Sequence, residues 1–109
     1  MGLTESLGSH ESSIVGFRLE SATLTIELEG VHRGNEVASA TIRLFGVKSI
    51  ERDGIAIRAL PQELDDGEVL TLEHTEETLE LLAEWTDFKT HLSETHSYRV
   101  ICDSLTIKI

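Results

Sequence analysis

The chain has 109 residues, 39% of them hydrophobic and 27% charged, with a single proline. This composition fits one globular domain and argues against a disordered or low-complexity protein. Twenty Asp and Glu against nine Lys and Arg give a net charge of −11. Nucleic acids and anionic membranes are bound through Lys and Arg, so neither is expected as a partner. A basic protein, a cationic ligand or a metal ion is compatible with this charge, and so is a role in solubility alone.

Residues 1–13 are rich in Ser, Gly and Glu and have no periodicity. We expect a flexible tail here, followed by a single β-rich domain over 14–109. The tail lacks the basic and apolar regions of a secretory signal, and no apolar run approaches the roughly 20 residues of a membrane span. One cysteine, Cys102, forbids an internal disulfide and suits a reducing compartment. The chain is therefore predicted to be cytoplasmic.

Strict alternation of apolar and polar residues follows the tail, and it predicts strands buried on one face. It runs through "IVGFRLE", where Val15, Phe17 and Leu19 are predicted to share the buried face. The link "ESA" joins this run to "TLTIELEG" as a hairpin. The run "ASATIRLFG" alternates in the same way.

A second group of strands follows the turn dipeptide Asp53-Gly54. The residues after this turn are apolar on both faces apart from Arg58, which predicts a strand covered on both sides. The runs "EVLTLEH", "SYRVICD" and "SLTIKI" complete the set. Together they predict an all-β fold of seven to eight short, mostly antiparallel strands, arranged as a sandwich or a partly open barrel.

The segment "EETLELLAEWTDFKTHLSE" fits two structures. As a helix near 76–92, it would carry an apolar stripe that includes Trp85 and Phe88. As a strand over about 78–87, it would bury Trp85 and leave the following residues in a loop. We favour the strand because the preceding run "EVLTLEH" needs a neighbour to pair with. The single helix is the alternative.

The sequence contains no motif that carries chemistry. No glycine-rich phosphate loop occurs, nor does GxSxG, HExxH or CxxC. Cys102 alternates with Tyr98 and Val100 on an apolar face, which is typical of a packed thiol rather than a nucleophile. We therefore assign no catalytic residue, expect no cofactor and predict that the chain is not an enzyme.

Histidines are the weak candidates for metal ligands. His91 and His96 flank Glu94 at a spacing of five, which suits neither one helix face nor one strand face. Only a loop could present both of them, and His74 could join them if the fold brings it close. Hydrogen-bonded or solvated surface histidines are the simpler interpretation, so no metal site is assigned.

Glutamates on predicted strands are the candidate binding residues. Alternation places Glu27 and Glu29 on the exposed face of one strand, and Glu80 and Glu84 share a face if 78–87 is a strand. The four would form an acidic sheet face. Such a face is equally consistent with a solvated surface that discourages edge-to-edge aggregation.

Three segments, "SIVGFRLESATLTIELEG", "ATIRLFGVKSIERDGI" and "YRVICDSLTIKI", carry a resemblance. In their order and pattern the chain resembles a group of small bacterial all-β proteins, some of them assigned as immunity proteins against polymorphic toxins. The resemblance spans about residues 13–109 and includes no catalytic or ligand motif. It implies a binding module without catalysis.

The leading hypothesis is a small acidic protein-binding module, immunity-like, that neutralises a basic partner. The alternative is a small-ligand- or metal-binding β-barrel that uses His74, His91 and His96. Self-association, with a homodimer as its simplest form, is a third hypothesis, and the sequence leaves the oligomeric state open.

Overall fold

The computed structural model describes residues 5–6, 12–33 and 36–109. This part of the chain forms ten strands and no helix, so the all-β prediction is confirmed. The strand bounds are β1 (Glu5–Ser6), β2 (Ser13–Glu20), β3 (Thr23–Arg33), β4 (Glu36–Phe45), β5 (Ser49–Arg52), β6 (Ile55–Ile57), β7 (Asp66–His74), β8 (Thr78–Thr86), β9 (Ser93–Ile101) and β10 (Ser104–Lys108). The count exceeds the predicted seven to eight, and β1, with two residues, lies within the stretch expected to be a tail.

All ten strands belong to one antiparallel sheet. Its order is β10-β4-β3-β2-β7-β8-β9-β5-β6, and β1 pairs with β7. The path is open, with β10 at one edge and β6 at the other. Hairpin turns place most consecutive strands side by side. The turn between β5 and β6 is the predicted Asp53-Gly54, and both residues have positive φ (53° and 82°), as a two-residue hairpin turn requires.

The ambiguous segment around residue 80 forms a strand. Strand β8 covers Thr78–Thr86 and pairs on one side with β7 and on the other with β9. The predicted strand over about 78–87 is therefore confirmed, and the helix near 76–92 does not form. Strand β9 begins at Ser93, so residues expected to remain in a loop also enter the sheet. Pairing on both edges outweighs the local helix propensity of this segment.

Alternate residues of the long strands form the hydrophobic core on the inner face of the sheet. The core holds Leu24, Ile26 and Leu28 of β3, Ile42 and Leu44 of β4, and Leu79, Leu81, Ala83 and Trp85 of β8, none of which exceeds 2% exposure. Trp85 is the largest fully buried side chain. Burying a side chain of this kind stabilises the fold by roughly 1.5–3 kcal/mol before the entropy cost of ordering it.

The sheet curves strongly toward this inner face. The rings of Phe17 on β2 and Tyr98 on β9 lie 6.4 Å apart between centroids. Three strand spacings of about 4.8 Å separate β2 from β9 along the sheet, so a flat sheet would hold these rings about 14 Å apart. The join between β2 and β7 is also narrow, because only Ser13 and Glu68 pair across it.

Two expectations about strand faces are wrong. Val15 is 50% exposed, because a register shift between Ile14 and Gly16 moves it out of the alternation. The strand after Asp53-Gly54 is not covered on both sides: Ile55 is 69% exposed, and the strand ends at Ile57 on the edge of the sheet. The predicted tail lies largely outside the described residues. Within it, Glu5–Ser6 pair with β7, and Ser13 begins β2.

Candidate functional site

The outer face of the sheet carries the four glutamates predicted from alternation. Glu27 and Glu29 on β3 and Glu80 on β8 are exposed, and Glu84 on β8 is half-buried. Each alternates with buried core residues of its own strand and therefore points away from the core. We call the carboxylates of this side the acidic outer face; they belong to Glu27, Glu29, Glu51, Glu68, Glu73, Glu80 and Glu84.

One row of this face crosses four strands. Glu29 lies opposite Ser13, Ser13 opposite Glu68, and Glu68 opposite Glu84. Directly opposed residues of an antiparallel pair point to the same side. The structure therefore places Glu29 and Glu84 in one row, three strand spacings or about 14 Å apart along the sheet.

Two pairs of glutamates oppose each other directly across β7 and β8. Glu68 lies opposite Glu84, and Glu73 lies opposite Glu80. Side chains in such positions have Cβ atoms about 4.5–5.5 Å apart, and like charges there destabilise a sheet. The sheet therefore brings two like-charged pairs together at its centre, on the side that faces solvent, and Glu80 also lies opposite Arg99 on β9.

A groove of about 400 Å³ lies over this region. One arginine, Arg99, lines it together with Glu51, Glu73 and Glu80, and Leu82 contributes to the apolar part of the lining. The Arg99 Nε lies 3.9 Å from Glu80 Oε1, and both side chains are more than half exposed, so solvent screens this pair. Among the charged residues that line the groove, carboxylates outnumber cations three to one.

A separate polar cluster lies on the inner side, where the loop between β6 and β7 meets β9. Glu63 of this loop has a side chain only 8% exposed. The Tyr98 hydroxyl donates to Glu63 Oε2 at 2.9 Å and accepts from Trp85 Nε1 at 2.9 Å. Arg52 Nη1 donates to both Glu63 oxygens, at 2.8 and 3.0 Å. Burial raises the pKa of Tyr98 far above its usual value, so this hydroxyl stays protonated as a donor.

His96 belongs to the same cluster. Its Nδ1 lies 2.6 Å from Asp53 Oδ2, and its Nε2 lies 3.1 Å from Glu94 Oε1. The hydrogen bond with Asp53 is the main cause that raises the pKa of His96 above its ordinary value. The same bond lowers the pKa of the Asp53 carboxyl. Asp53 Oδ1 also accepts from the Ser97 amide at 2.9 Å, which fixes the turn against β9.

The three candidate histidines do not converge. His74 pairs opposite Leu79, whereas His96 pairs opposite Ala83, four residues further along β8. At about 3.4 Å per residue, that separation is about 14 Å. His91 lies exposed in the loop after β8, in the left-handed backbone region with φ of 60°. A metal site built from all three is therefore not formed.

Among the described residues, Glu63, Glu94 and His96 form the one group with metal-ligand chemistry whose donor atoms come within 4.8 Å of each other. Two facts count against a metal there. The Glu63 oxygens already accept from Arg52 and Tyr98. Arg52 and a protonated His96 also supply positive charge to the cluster, so a divalent cation would have to displace existing partners.

The Cys102 side chain is packed, as expected. Only 1% of it is exposed, and burial is the main cause that raises its pKa. A thiol in this setting is largely protonated near neutral pH and is a poor nucleophile.

Comparisons with protein-family models, with curated proteins and with solved structures find no match to this chain. Within the residues that the structure describes, no helix is long and apolar enough to cross a membrane.

Sequence reasoning missed the polar cluster around Glu63. The alternation of β9 contained part of the signal, because Glu94, His96, Tyr98 and Val100 lie two residues apart and all face inward. When the residues up to His96 are interpreted as a loop, the alternation of β9 is visible only from Tyr98 onward. No periodic signal exists for Glu63, which reaches Tyr98 from 35 residues away in the chain.

Proposed function

We propose that this chain is a non-enzymatic protein-binding module whose acidic outer face docks a basic partner. The opposed pairs Glu68–Glu84 and Glu73–Glu80 give the strongest support. Like charges in such positions cost stability in the free protein. Costs of this kind are commonly retained where function requires them. A cationic surface placed against the face relieves the repulsion among these carboxylates and replaces it with attraction. Binding therefore recovers stability that the free protein lacks.

The groove over the face suits long cationic side chains. A Lys or Arg side chain buries its apolar stem while its charged end stays with polar groups. Leu82 is half-buried and offers apolar contact, and the carboxylates of Glu51, Glu73 and Glu80 line the same groove. A partner that presents several such side chains would fit here better than a small neutral ligand.

The resemblance to small bacterial all-β proteins, some of them assigned as immunity proteins, suggests one class of partner, a basic toxin. A net charge of −11 speeds the encounter with a positively charged protein and fixes its orientation. These two observations support an immunity-like role for the chain in the cytoplasm.

We also propose that the curved sheet closes as a sandwich or partly open barrel. The narrow join at Ser13 and Glu68 lets the β2 side of the sheet turn relative to the β7 side. The contact between Phe17 and Tyr98 supports closure over a single core. Such an arrangement presents the acidic outer face to solvent on one convex surface.

A capture experiment with matched variants tests the binding proposal. Wild-type protein, the double variant Glu80→Gln with Glu84→Gln, and the control Glu76→Gln with Glu77→Gln are immobilised and exposed to lysate of the native host. Both variants change the net charge by +2, but the control changes exposed side chains of the β7–β8 turn. We expect a basic protein that wild type and control retain, that the outer-face variant loses, and that salt elutes. A protein retained equally by all three, or by none, contradicts the proposal.

A further inference from the structure

The two hydrogen-bond partners of the His96 ring indicate how many protons the ring carries. Carboxylate oxygens lie within hydrogen-bond distance of both ring nitrogens, Asp53 Oδ2 at Nδ1 and Glu94 Oε1 at Nε2. A neutral imidazole has one N–H and one lone pair, and an ionised carboxylate only accepts. A neutral ring would therefore point a lone pair at one of the two carboxylates. Only the doubly protonated ring satisfies both contacts.

The contact with Asp53 connects two elements that are distant in sequence. Asp53 lies in the β5–β6 turn, 43 residues before His96. Its backbone amide donates to the Ser97 carbonyl at 2.8 Å, and its Oδ1 accepts from the Ser97 amide at 2.9 Å. His96, Asp53 and Ser97 together close the end of the β5–β6 hairpin onto β9.

We propose that His96 is a proton-binding latch: with a proton on each ring nitrogen it reinforces, through Asp53 and Glu94, the attachment of the β5–β6 turn to strand β9, and this reinforcement weakens when one proton is lost. The element that loosens lies at the edge of the sheet, since β6 is the last strand of the path. The latch shares no residue with the acidic outer face.

The carboxylates around the ring raise the pKa of His96, whereas its partial burial lowers it. Asp53 faces it from the turn, Glu94 from its own strand and Glu63 from the loop before β7. The phenol of Tyr98 lies beside it, with ring centroids 6.4 Å apart, and stays neutral. Arg52 is the nearby cation, but it is bonded to Glu63.

The pH range of the latch follows from the direction of two pKa shifts. The pKa of His96 is raised in the folded state, so its stabilising contribution is full below about 6.5 and is lost as pH rises through the raised value. The pKa of Asp53 is lowered, so its contribution is full above about 3.8 and is lost as pH falls through the lowered value. The latch is therefore strongest between about pH 3.8 and 6.5, and it weakens on the alkaline side of the raised His96 pKa.

The test is a titration of the full chain followed by nuclear magnetic resonance. At pH 6 we expect the ¹⁵N shifts of His96 to report two protonated ring nitrogens, with a titration midpoint above 6.5. Above that midpoint, the protection of the Asp53 and Ser97 amides against hydrogen exchange should fall by about two- to five-fold, as expected for a partly exposed ion pair. The Thr75 amide, bonded in the β7–β8 turn at 2.8 Å, is the internal reference.

Two variants test whether the Asp53 carboxylate sets the titration midpoint of His96. Asp53→Asn keeps an oxygen for the Ser97 amide and tolerates positive φ, but it removes the charge, so the His96 midpoint should fall. Glu76→Gln makes the same charge change in the β7–β8 turn and should leave the midpoint in place. An unprotonated ring nitrogen at pH 6, an unchanged midpoint in Asp53→Asn, or stoichiometric zinc binding that needs His96 would each overturn the proposal.

Discussion

Tyr98 connects the apolar core to the polar cluster, and its two hydrogen bonds explain how a glutamate is tolerated so far from solvent. One bond comes from Trp85 and the other goes to Glu63, each at 2.9 Å. Buried polar groups of this kind are costly when one partner is removed, because the others lose their bonds without regaining water. The hydroxyl of Tyr98 therefore affects stability more than its size suggests.

Replacing Tyr98 by Phe is expected to lower the free energy of unfolding by about 1–3 kcal/mol, because Trp85 Nε1 and Glu63 each lose a buried partner. Urea unfolding followed by far-ultraviolet circular dichroism measures the change. Ser93→Ala is the control, since it removes the exposed contact between Thr86 and Ser93 and should change stability by less than about 0.5 kcal/mol. Equal effects of the two substitutions would contradict a special role for the Tyr98 hydroxyl.

Among the elements, the β7–β8 pair holds a close packing contact as well as the opposed charges. Gly67 lies opposite Trp85, and a Cβ atom at Gly67 would lie 2.6 Å from the indole ring. Glycine is needed here for space rather than for backbone conformation, because Gly67 has no positive φ. The indole of Trp85 is seated directly over the backbone of β7.

Gly67→Ala is expected to destabilise the protein by about 1–3 kcal/mol, since the indole or the strand must move. Gly16→Ala is the matched control: no heavy atom lies within 4 Å of its added Cβ, and Gly16 also lacks a positive φ. It should be neutral or stabilising by up to about 1 kcal/mol through the unfolded chain. Thermal or urea unfolding measures the stability of both variants. Similar losses of stability in the two would refute the packing argument.

For the opposed glutamates, we predict a substitution that raises the free energy of unfolding rather than lowering it. Glu84→Gln removes the repulsion from Glu68 and should raise the free energy of unfolding by about 0.2–1 kcal/mol at low salt. Added salt should shrink the gain because it screens the same repulsion. Glu77→Gln in the β7–β8 turn is the control and should show a smaller gain. A loss of stability in Glu84→Gln would remove the main support for a functional acidic face.

Alternation and turn chemistry predicted much of the fold but little of the inner cluster. Period-two patterns placed Glu27, Glu29, Glu80 and Glu84 correctly on outer faces, because alternation is a direct consequence of strand geometry. They failed at Val15, where a bulge shifts the register next to Gly16, a residue type that often marks a bulge inside a strand. The contacts of Glu63 depend on how the loop before β7 folds over the core. No local sequence pattern predicts the path of such a loop.

In the whole molecule, the curvature of the sheet and the net negative charge both favour binding of a cationic partner on the outer face. The sheet bends around its core so that the acidic outer face points away from it, and the formal charge of −11 gives the chain a negative field. We expect association with a basic partner to be fast and to weaken as ionic strength rises. An immunity-like role stays a prediction that a captured partner would test.

The dissociation constant of the captured basic partner tests the binding proposal most directly. It is measured for wild type, for Glu80→Gln with Glu84→Gln, and for Glu76→Gln with Glu77→Gln, at low and high salt. If the outer face is the binding site, the first double variant binds about five- to thirty-fold more weakly at low salt, as the loss of two charge pairs implies, and the second binds like wild type. Equal weakening in both double variants would show that only net charge matters and would contradict the proposed site.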